Sequence, residues 1–220
     1  SGMVRSLPDA VKLLGYQAVA NIAISMTATE PFRSVDGGGC DTAGFWEHAL
    51  ACANFADLIH TMTGGVEGEM FAAGFLHDLG KLLLVYTFQS EYRHLRAKPG
   101  QERRVFRTLE QEQLGVTHDQ VNGLIVERLD LSEGLADAMV NHHSQGTQWG
   151  RSAAIVHIAD QMCYDFNVTF PNAAPRPEAN PWAMRSLGIS QDRLPRIREK
   201  ARGVMEKLQQ WNQILPRRKR

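Results

Sequence analysis

An all-α fold is predicted by three features of this chain. Long segments carry no proline, apolar residues recur at helical spacing, and no alternating run is long enough for a strand. Proline is absent between Phe32 and Lys98 and again between Gly100 and Phe170, so long helices are permitted there. Pro171, Pro175, Pro177 and Pro181 then crowd one stretch and forbid a helix through it. The length of 220 residues, with 43% apolar and 22% charged residues, suits a globular unit with a sizeable core.

The elements follow in order. Pro8 after Ser6-Leu7 opens a first helix and Gly15 closes it. Residues 16–29 read as a second helix, and "VDGGGCDTAG" as a loop. Residues 43–62 place Phe45, Ala49, Cys52, Phe55, Ile59 and Met62 on one helical face, stopped by Gly64-Gly65. Residues 69–88 form an apolar helix around "GFLHDLGKLL". Residues 101–114 end at Gly115, and Thr117 caps a helix running to about Leu129. Ser132 caps the next, with Leu135, Met139 and His143 on one face. Ser152 caps another, with Ala153, Val156, Asp160 and Cys163 in a stripe. Past the proline cluster, residues 191–213 form an amphipathic helix before a "PRRKR" tail.

Composition excludes several functions. The formal charge is zero, so no whole-chain field draws nucleic acid or membrane. The last 28 residues, from Arg193, hold ten Lys/Arg against two Glu. A solvated helix face and a tail account for that run, and nucleic-acid binding is not expected. Cys40, Cys52 and Cys163 form no C-x-x-C pair, so neither a disulfide framework nor a thiolate zinc cage is indicated, and a reducing cytoplasm is the expected location. No signal peptide and no apolar run of membrane-spanning length appear in the sequence.

Polar residues intrude on the apolar faces. His77 and Asp78 sit inside the apolar 69–88 run; His48 lies among Phe45, Cys52 and Phe55; Asp160 lies between Val156 and Cys163. His118 opens one helix and His142-His143 close another. Each has a plain reading as a core histidine, a cap or a helix end. Together they suggest a metal site, because a divalent cation supplies the charge that buried Asp78 and Asp160 need. Imidazole with carboxylate suits zinc, iron, manganese, cobalt or nickel. His77 and Asp78 project about 100° apart on a helix, so both reach one ion only at a helix end or junction, where Gly80 gives flexibility. Lys81 shares a face with His77 and can point at an anion there. His60, His94 and His157 fit no part of the pattern and read as surface or helix-end residues.

The order H…HD…H…HH…D resembles the HD superfamily of helical metal-dependent phosphohydrolases. The closer likeness is to its HDOD branch, the HD-related output domain of bacterial signalling proteins. "SLPDAVKLLGYQAVANIAIS", "FWEHALACANFA", "FAAGFLHDLGKLLL", "EQLGVTHDQVNGLIVERLDLSEGLADAMVNHHS" and "AAIVHIADQM" are similar to family segments in family order, over about residues 4–163. The resemblance implies an HD-like helical bundle with His48, His77, Asp78 and Asp160 as primary metal ligands and Asp78 as a bridging carboxylate if two ions bind. It implies His118, His142 and His143 as the further ligands of two-metal relatives such as the HD-GYP phosphodiesterases. Lys81 matches the lysine that contacts substrate phosphate, so Asp78 and Lys81 are the catalytic candidates.

The chain departs from that pattern in places. "SQGTQWG" follows His142-His143 where a GYP signature would stand, which argues against cyclic dinucleotide hydrolysis. Gly44 stands where some relatives carry an acidic ligand. The helices that usually precede "SLPDAV" are missing, so the chain is expected to be a fragment or a short member, with exposed apolar surface that favours a signalling partner or self-association.

The expected organisation is one domain: a core over 3–166, a Pro-rich loop over 167–182, and C-terminal helices with a basic tail over 183–220 packed on the core. The expected function is a bacterial signalling output domain with a divalent metal site of one or two ions (Fe, Mn, Zn, Ni, Co or Mg). The alternative is a phosphohydrolase acting on a phosphomonoester, nucleotide or phosphodiester through metal-bound hydroxide.

Overall fold

The computed structural model describes residues 42–65, 70–91, 106–144, 146–147, 149–169 and 180–214, together with residues 16 and 23. Those residues are helices and connections, with no strand among them. The helices are α1 (Thr42–Met62), α2 (Phe71–Leu76), α3 (Leu79–Thr87), α4 (Phe106–Leu114), α5 (His118–Leu129), α6 (Glu133–Asn141), α7 (Arg151–Asp165), α8 (Pro181–Ser186) and α9 (Leu194–Ile214). Tyr16 and Ala23 are helical. The helix expected before Gly15, the rest of 16–29, the 35–44 loop up to Asp41, most of the Pro-rich stretch, Cys40, His94 and the tail lie outside the described residues.

Two apolar clusters share α1. Phe45, Ala49 and Ala53 pack with Phe71, Phe75, Leu82, Leu84, Val85 and Phe106. Ala51, Cys52, Phe55, Ala56 and Ile59 belong to the other cluster, with residues of α7, α8 and α9 such as Ile155, Ala159, Ala183, Ile197 and Ala201. Each large side chain so buried stabilises the fold by about 1.5–3 kcal/mol. His48 lies on α1 beside members of both clusters. Gly74 lets α2 cross α1 closely, since a Cβ there would stand 2.7 Å from the Ala53 Cα and 2.8 Å from the Cys52 carbonyl oxygen.

Several boundaries differ from the sequence reading, each for a local reason. The single helix expected over 69–88 is two helices broken at His77 and Asp78, where Asp78 leaves helical geometry at φ −104° and ψ 11°. A buried Asn122, on α5, takes up the backbone groups freed at that break. Its Nδ2 donates to the His77 and Met139 carbonyls, and its Oδ1 accepts from Gly80 N–H at 2.8 Å. Gly80 serves close approach rather than flexibility, because a Cβ there would collide with the His118 carbonyl oxygen.

Ser152 is not a cap. Gly150 holds the cap position of α7, and Asp137 of α6 accepts from Ala153 N–H at 3.0 Å, doing the same work from a neighbouring helix. Ser132 stands at the cap position of α6 without a side-chain cap bond. His142 and His143 fall in the turn after α6, so His143 does not continue the face of Leu135 and Met139. Thr117 caps α5 as expected in position, with Gln120 Oε1 accepting from its N–H at 3.0 Å. α8 starts on Pro181, with Asn180 as cap, its side chain accepting from Trp182 N–H at 2.9 Å. A short 3₁₀ turn, Gln191–Arg193, precedes α9.

The Gly74 crossing yields a stability test. Gly74→Ala should lower the unfolding free energy by about 1–3 kcal/mol through overpacking, read from urea denaturation. An unchanged midpoint would show that the α1–α2 crossing has room to spare.

Candidate metal centre

The helix break sets the site. At Asp78 the chain turns out of α2, and its carboxylate, 1% exposed, is met from all sides by imidazoles. His48 Nε2 lies 3.5 Å and His77 Nε2 3.4 Å from Asp78 Oδ2. His118 Nε2 lies 3.4 Å and His142 Nε2 3.7 Å from Oδ1. The two carboxylate oxygens thus face two different pairs of rings. His143 joins the Oδ1 side: one ligand atom each from Asp78, His118, His142 and His143 fall within 4.8 Å of one another, as do atoms of His48, His77 and Asp78. Asp160 meets the Oδ2 side at His48 Nε2, 3.4 Å away. All seven residues read from the sequence therefore stand around one buried centre, contributed by α1, the α2–α3 junction, α5, the turn after α6, and α7.

Each of four rings is held by its other nitrogen. His48 Nδ1 lies 2.9 Å from the Val168 carbonyl, His77 Nδ1 2.8 Å from Gly74, and His142 Nδ1 2.9 Å from Ala138. His118 Nδ1 lies 2.6 Å from Glu110 Oε2. Carbonyls and carboxylates only accept, so every Nδ1 carries a proton and donates. In the neutral ring Nε2 then presents its lone pair inward. These four Nε2 atoms and Asp78 Oδ1 are buried without a hydrogen-bond partner, an expensive arrangement for a cavity meant to stay empty of cations. Rings oriented through their far nitrogen, with lone pairs converging, are the arrangement that metal-binding histidines need. The donor set fits a divalent cation.

Without a cation, protons and Lys81 carry the balancing charge. Lys81 Nζ donates to Asp78 Oδ2. Lys81, expected to share a face with His77 and to point at an anion there, is buried with its ammonium against the Asp78 carboxylate. Burial opposes charge on His48, but Asp78 and Asp160 outweigh it and raise the ring to about 9. Burial likewise opposes charge on His77, and Asp78 together with Cys52 raises it to about 10. His142 goes the other way: burial lowers it to about 4, with the charge of His77 adding to the fall. Burial also lowers His143. Asp78 resists burial through the charges of His77 and Lys81 and is held below the ordinary carboxylate range.

Sequence reasoning missed three supports. Glu110 is fully buried and accepts from both His118 N–H, at 3.0 Å, and His118 Nδ1. Its place in "RTLEQEQ" reads as a polar helix, and only the fold turns it inward. Asn122 closes the α2–α3 break. His157, read as surface or helix end, is buried, with Nδ1 2.8 Å from the His142 carbonyl. His60, read the same way, lies in the last turn of α1 but is buried beneath Gly65. Cys52 and Cys163 are buried free thiols.

A helical bundle that folds five segments around a histidine–aspartate centre is the HD class of architecture. The HDOD domain family matches residues 1–145, and the chain belongs to that family. Solved structures share the fold. One is an HDOD domain protein of unknown function from Geobacter sulfurreducens, with 22% identity and a TM-score of 0.72 over 91% of this chain and 75% of that one. A second is a "putative phosphohydrolase" from Shewanella amazonensis, with 21% identity and a TM-score of 0.70 over 91% of this chain and 73% of that one. A third is the MmoQ response regulator from Methylococcus capsulatus, with 22% identity and a TM-score of 0.54 over 90% of this chain and 76% of that one. Among the curated proteins none matches the sequence. No helix among the described residues is long and apolar enough to cross a membrane.

The pKa directions give a signed prediction. His48 and His77, raised from an ordinary 6.5 to about 9 and about 10, stabilise the metal-free fold fully below pH 6.5. That contribution is lost as pH rises through their folded values. His142, lowered to about 4, costs stability as pH falls below 6.5. The metal-free melting temperature should therefore peak near pH 6.5 and fall by about 5 °C or more toward pH 10. Saturating Mn²⁺ should remove the alkaline fall, because ligation needs both rings deprotonated. Differential scanning fluorimetry reads this directly. A metal-free alkaline limb that stays flat would contradict the assigned protonation.

Proposed function

We propose that this chain is a bacterial, cytoplasmic signalling output domain built on a two-compartment divalent metal centre. The observation that carries the reading is the division of Asp78: Oδ2 faces His48 and His77, and Oδ1 faces His118 and His142, with all four Nε2 atoms buried and unpartnered. His48, His77 and Asp160 would hold one ion and His118, His142 and His143 the other, with Asp78 between them. Imidazole and carboxylate donors accept Fe, Mn, Zn, Ni, Co or Mg in differing degree, and the donor set does not choose among them. The signalling role is supported by family membership and by the likeness to a response regulator. In this reading residues 3–166 and the C-terminal helices act as one domain, and the output is delivered to a protein partner or to a second copy.

A second reading, hydrolysis of a phosphate ester or nucleotide, is favoured by Lys81. Its ammonium sits against Asp78 Oδ2, where the arrival of a cation would release it. Divalent ions bound beside Asp78 would supply Lewis acidity toward water and toward a phosphoryl oxygen. The chain's own contribution is to fix the rings through Val168, Gly74, Glu110 and Ala138, to exclude bulk water, and to bring the released Lys81 charge to a phosphoryl oxygen. The fold shared with a "putative phosphohydrolase" is consistent with this chemistry.

Protein purified without chelator should carry metal by elemental analysis, and Asp78→Ala should weaken it at least about 100-fold by losing a ligand to both ions. With Mn²⁺ or Fe²⁺ added, a panel of phosphomonoesters, nucleotides and phosphodiesters separates the two readings. Turnover that Asp78→Ala and Lys81→Met abolish makes the domain a hydrolase. Full metal occupancy without turnover leaves the signalling role, and absence of metal under every condition rejects both.

A further inference from the structure

His157 lies on α7, one turn before Asp160, and both of its ring nitrogens are engaged. Nδ1 is 2.8 Å from the His142 carbonyl oxygen, and Nε2 is 3.0 Å from the Asn180 backbone nitrogen. A carbonyl only accepts and a backbone N–H only donates. The ring is therefore neutral, with its proton fixed on Nδ1 and its lone pair on Nε2. Nothing about this depends on choosing a tautomer, because the two partners dictate it.

One arm of this ring ends on the backbone of a residue that faces the centre. His142 follows α6 in a turn, where no backbone N–H among the described residues donates to its carbonyl. Its own Nδ1 is bound to the Ala138 carbonyl at 2.9 Å, and its Nε2 lies 3.7 Å from Asp78 Oδ1. The His142 ring is thus steered at two points, one on its side chain and one, through His157, on its backbone. The surrounding contacts stiffen the second point. Trp149 packs on the His157 ring at 4.9 Å between centroids, and its Nε1–H donates to the Gly146 carbonyl at 3.1 Å. Asn180, the cap of α8, spans the same loop through Nδ2 contacts to the Gly146 and Ser144 carbonyls, at 3.3 and 3.5 Å. Both His157 and Asn180 lie beyond the stretch that the HDOD family matches, residues 1–145.

We propose that His157 is a positioning residue of the metal centre, fixing the His142 backbone so that His142 Nε2 is aimed at the Oδ1 side of Asp78. The proposal rests on the metal-centre reading above. It differs from simple core filling in a way that substitution can separate. His157→Asn keeps an amide N–H close to the place of Nδ1 and so keeps the His142 arm. His157→Gln puts its amide nearer the place of Nε2 and loses that arm. His157→Phe keeps the ring volume and loses both arms.

The test loads full-length protein with Co²⁺ and reads its visible absorption bands, its cobalt content and its binding isotherm, with metal-free melting temperature recorded in parallel. We expect His157→Gln and His157→Phe to shift the cobalt bands and to weaken one of two ions by about 10-fold or more. His157→Asn should keep wild-type bands and affinity while sharing the loss of melting temperature. Should the Phe variant not fold, the Gln and Asn pair decides the matter. Wild-type bands and affinity in all three variants, or the same shift in all three, would overturn the positioning role. Failure of the wild-type protein itself to take up cobalt would instead reject the metal-centre reading on which it rests.

Discussion

A carboxylate buried at 1% exposure stays ionised only where positive charge reaches its oxygens, and Asp78 is the group around which the rest of the structure is arranged. It sits where two helices break, and its oxygens face the ring of His77 beside it and rings from three other places in the chain, α1, α5 and the turn after α6. The break has its own requirement. It frees a carbonyl at His77 and an amide at Gly80, and Asn122 satisfies both while also binding the Met139 carbonyl. One buried amide thus ties together the junction bearing His77 and Asp78, the helix opened by His118, and the helix that ends before His142. The polar centre and the helix packing are held by the same bonds.

Much of this was legible in the sequence. Helical periodicity and proline placement gave the all-α class, and the intrusion of His48, His77, Asp78, His118, His142, His143 and Asp160 on apolar faces located the centre. Those signals are readable because charge in an apolar stripe is costly, and seven such costs in one chain call for a common cause. The helix ends were less legible. Periodicity continues through "GFLHDLGKLL" without proline, so the pattern reads as one helix, whereas the break depends on Asn122, 44 residues after Asp78. Capping of α7 by Asp137 escaped for the same reason, since the capping group comes from another helix.

The supports of the centre were the least legible part. Glu110 lies in a polar helical stretch and His157 outside the pattern of intruding residues, so the first reads as a surface acid and the second as a surface or helix-end histidine. Their roles exist only as contacts, to His118 in one case and to the His142 carbonyl in the other. Gly80 shows the same limit. Its composition suggested freedom of the backbone, but the His118 carbonyl packed against it shows that the need is for an absent side chain. Residues that bear a lone pair toward the centre can be found by their chemistry; those that aim them must be found by their neighbours.

The central claim is that Asp78 divides two cation compartments. Anomalous diffraction from crystals grown with Mn²⁺ or Fe²⁺, recorded on both sides of the metal absorption edge, addresses it most directly. The account predicts two edge-dependent peaks flanking Asp78, one among His48, His77 and Asp160 and one among His118, His142 and His143, separated by about 3.5–4 Å. A single peak bound to only one of these groups would contradict the division, and no peak within bonding distance of Asp78 would contradict the metal centre itself.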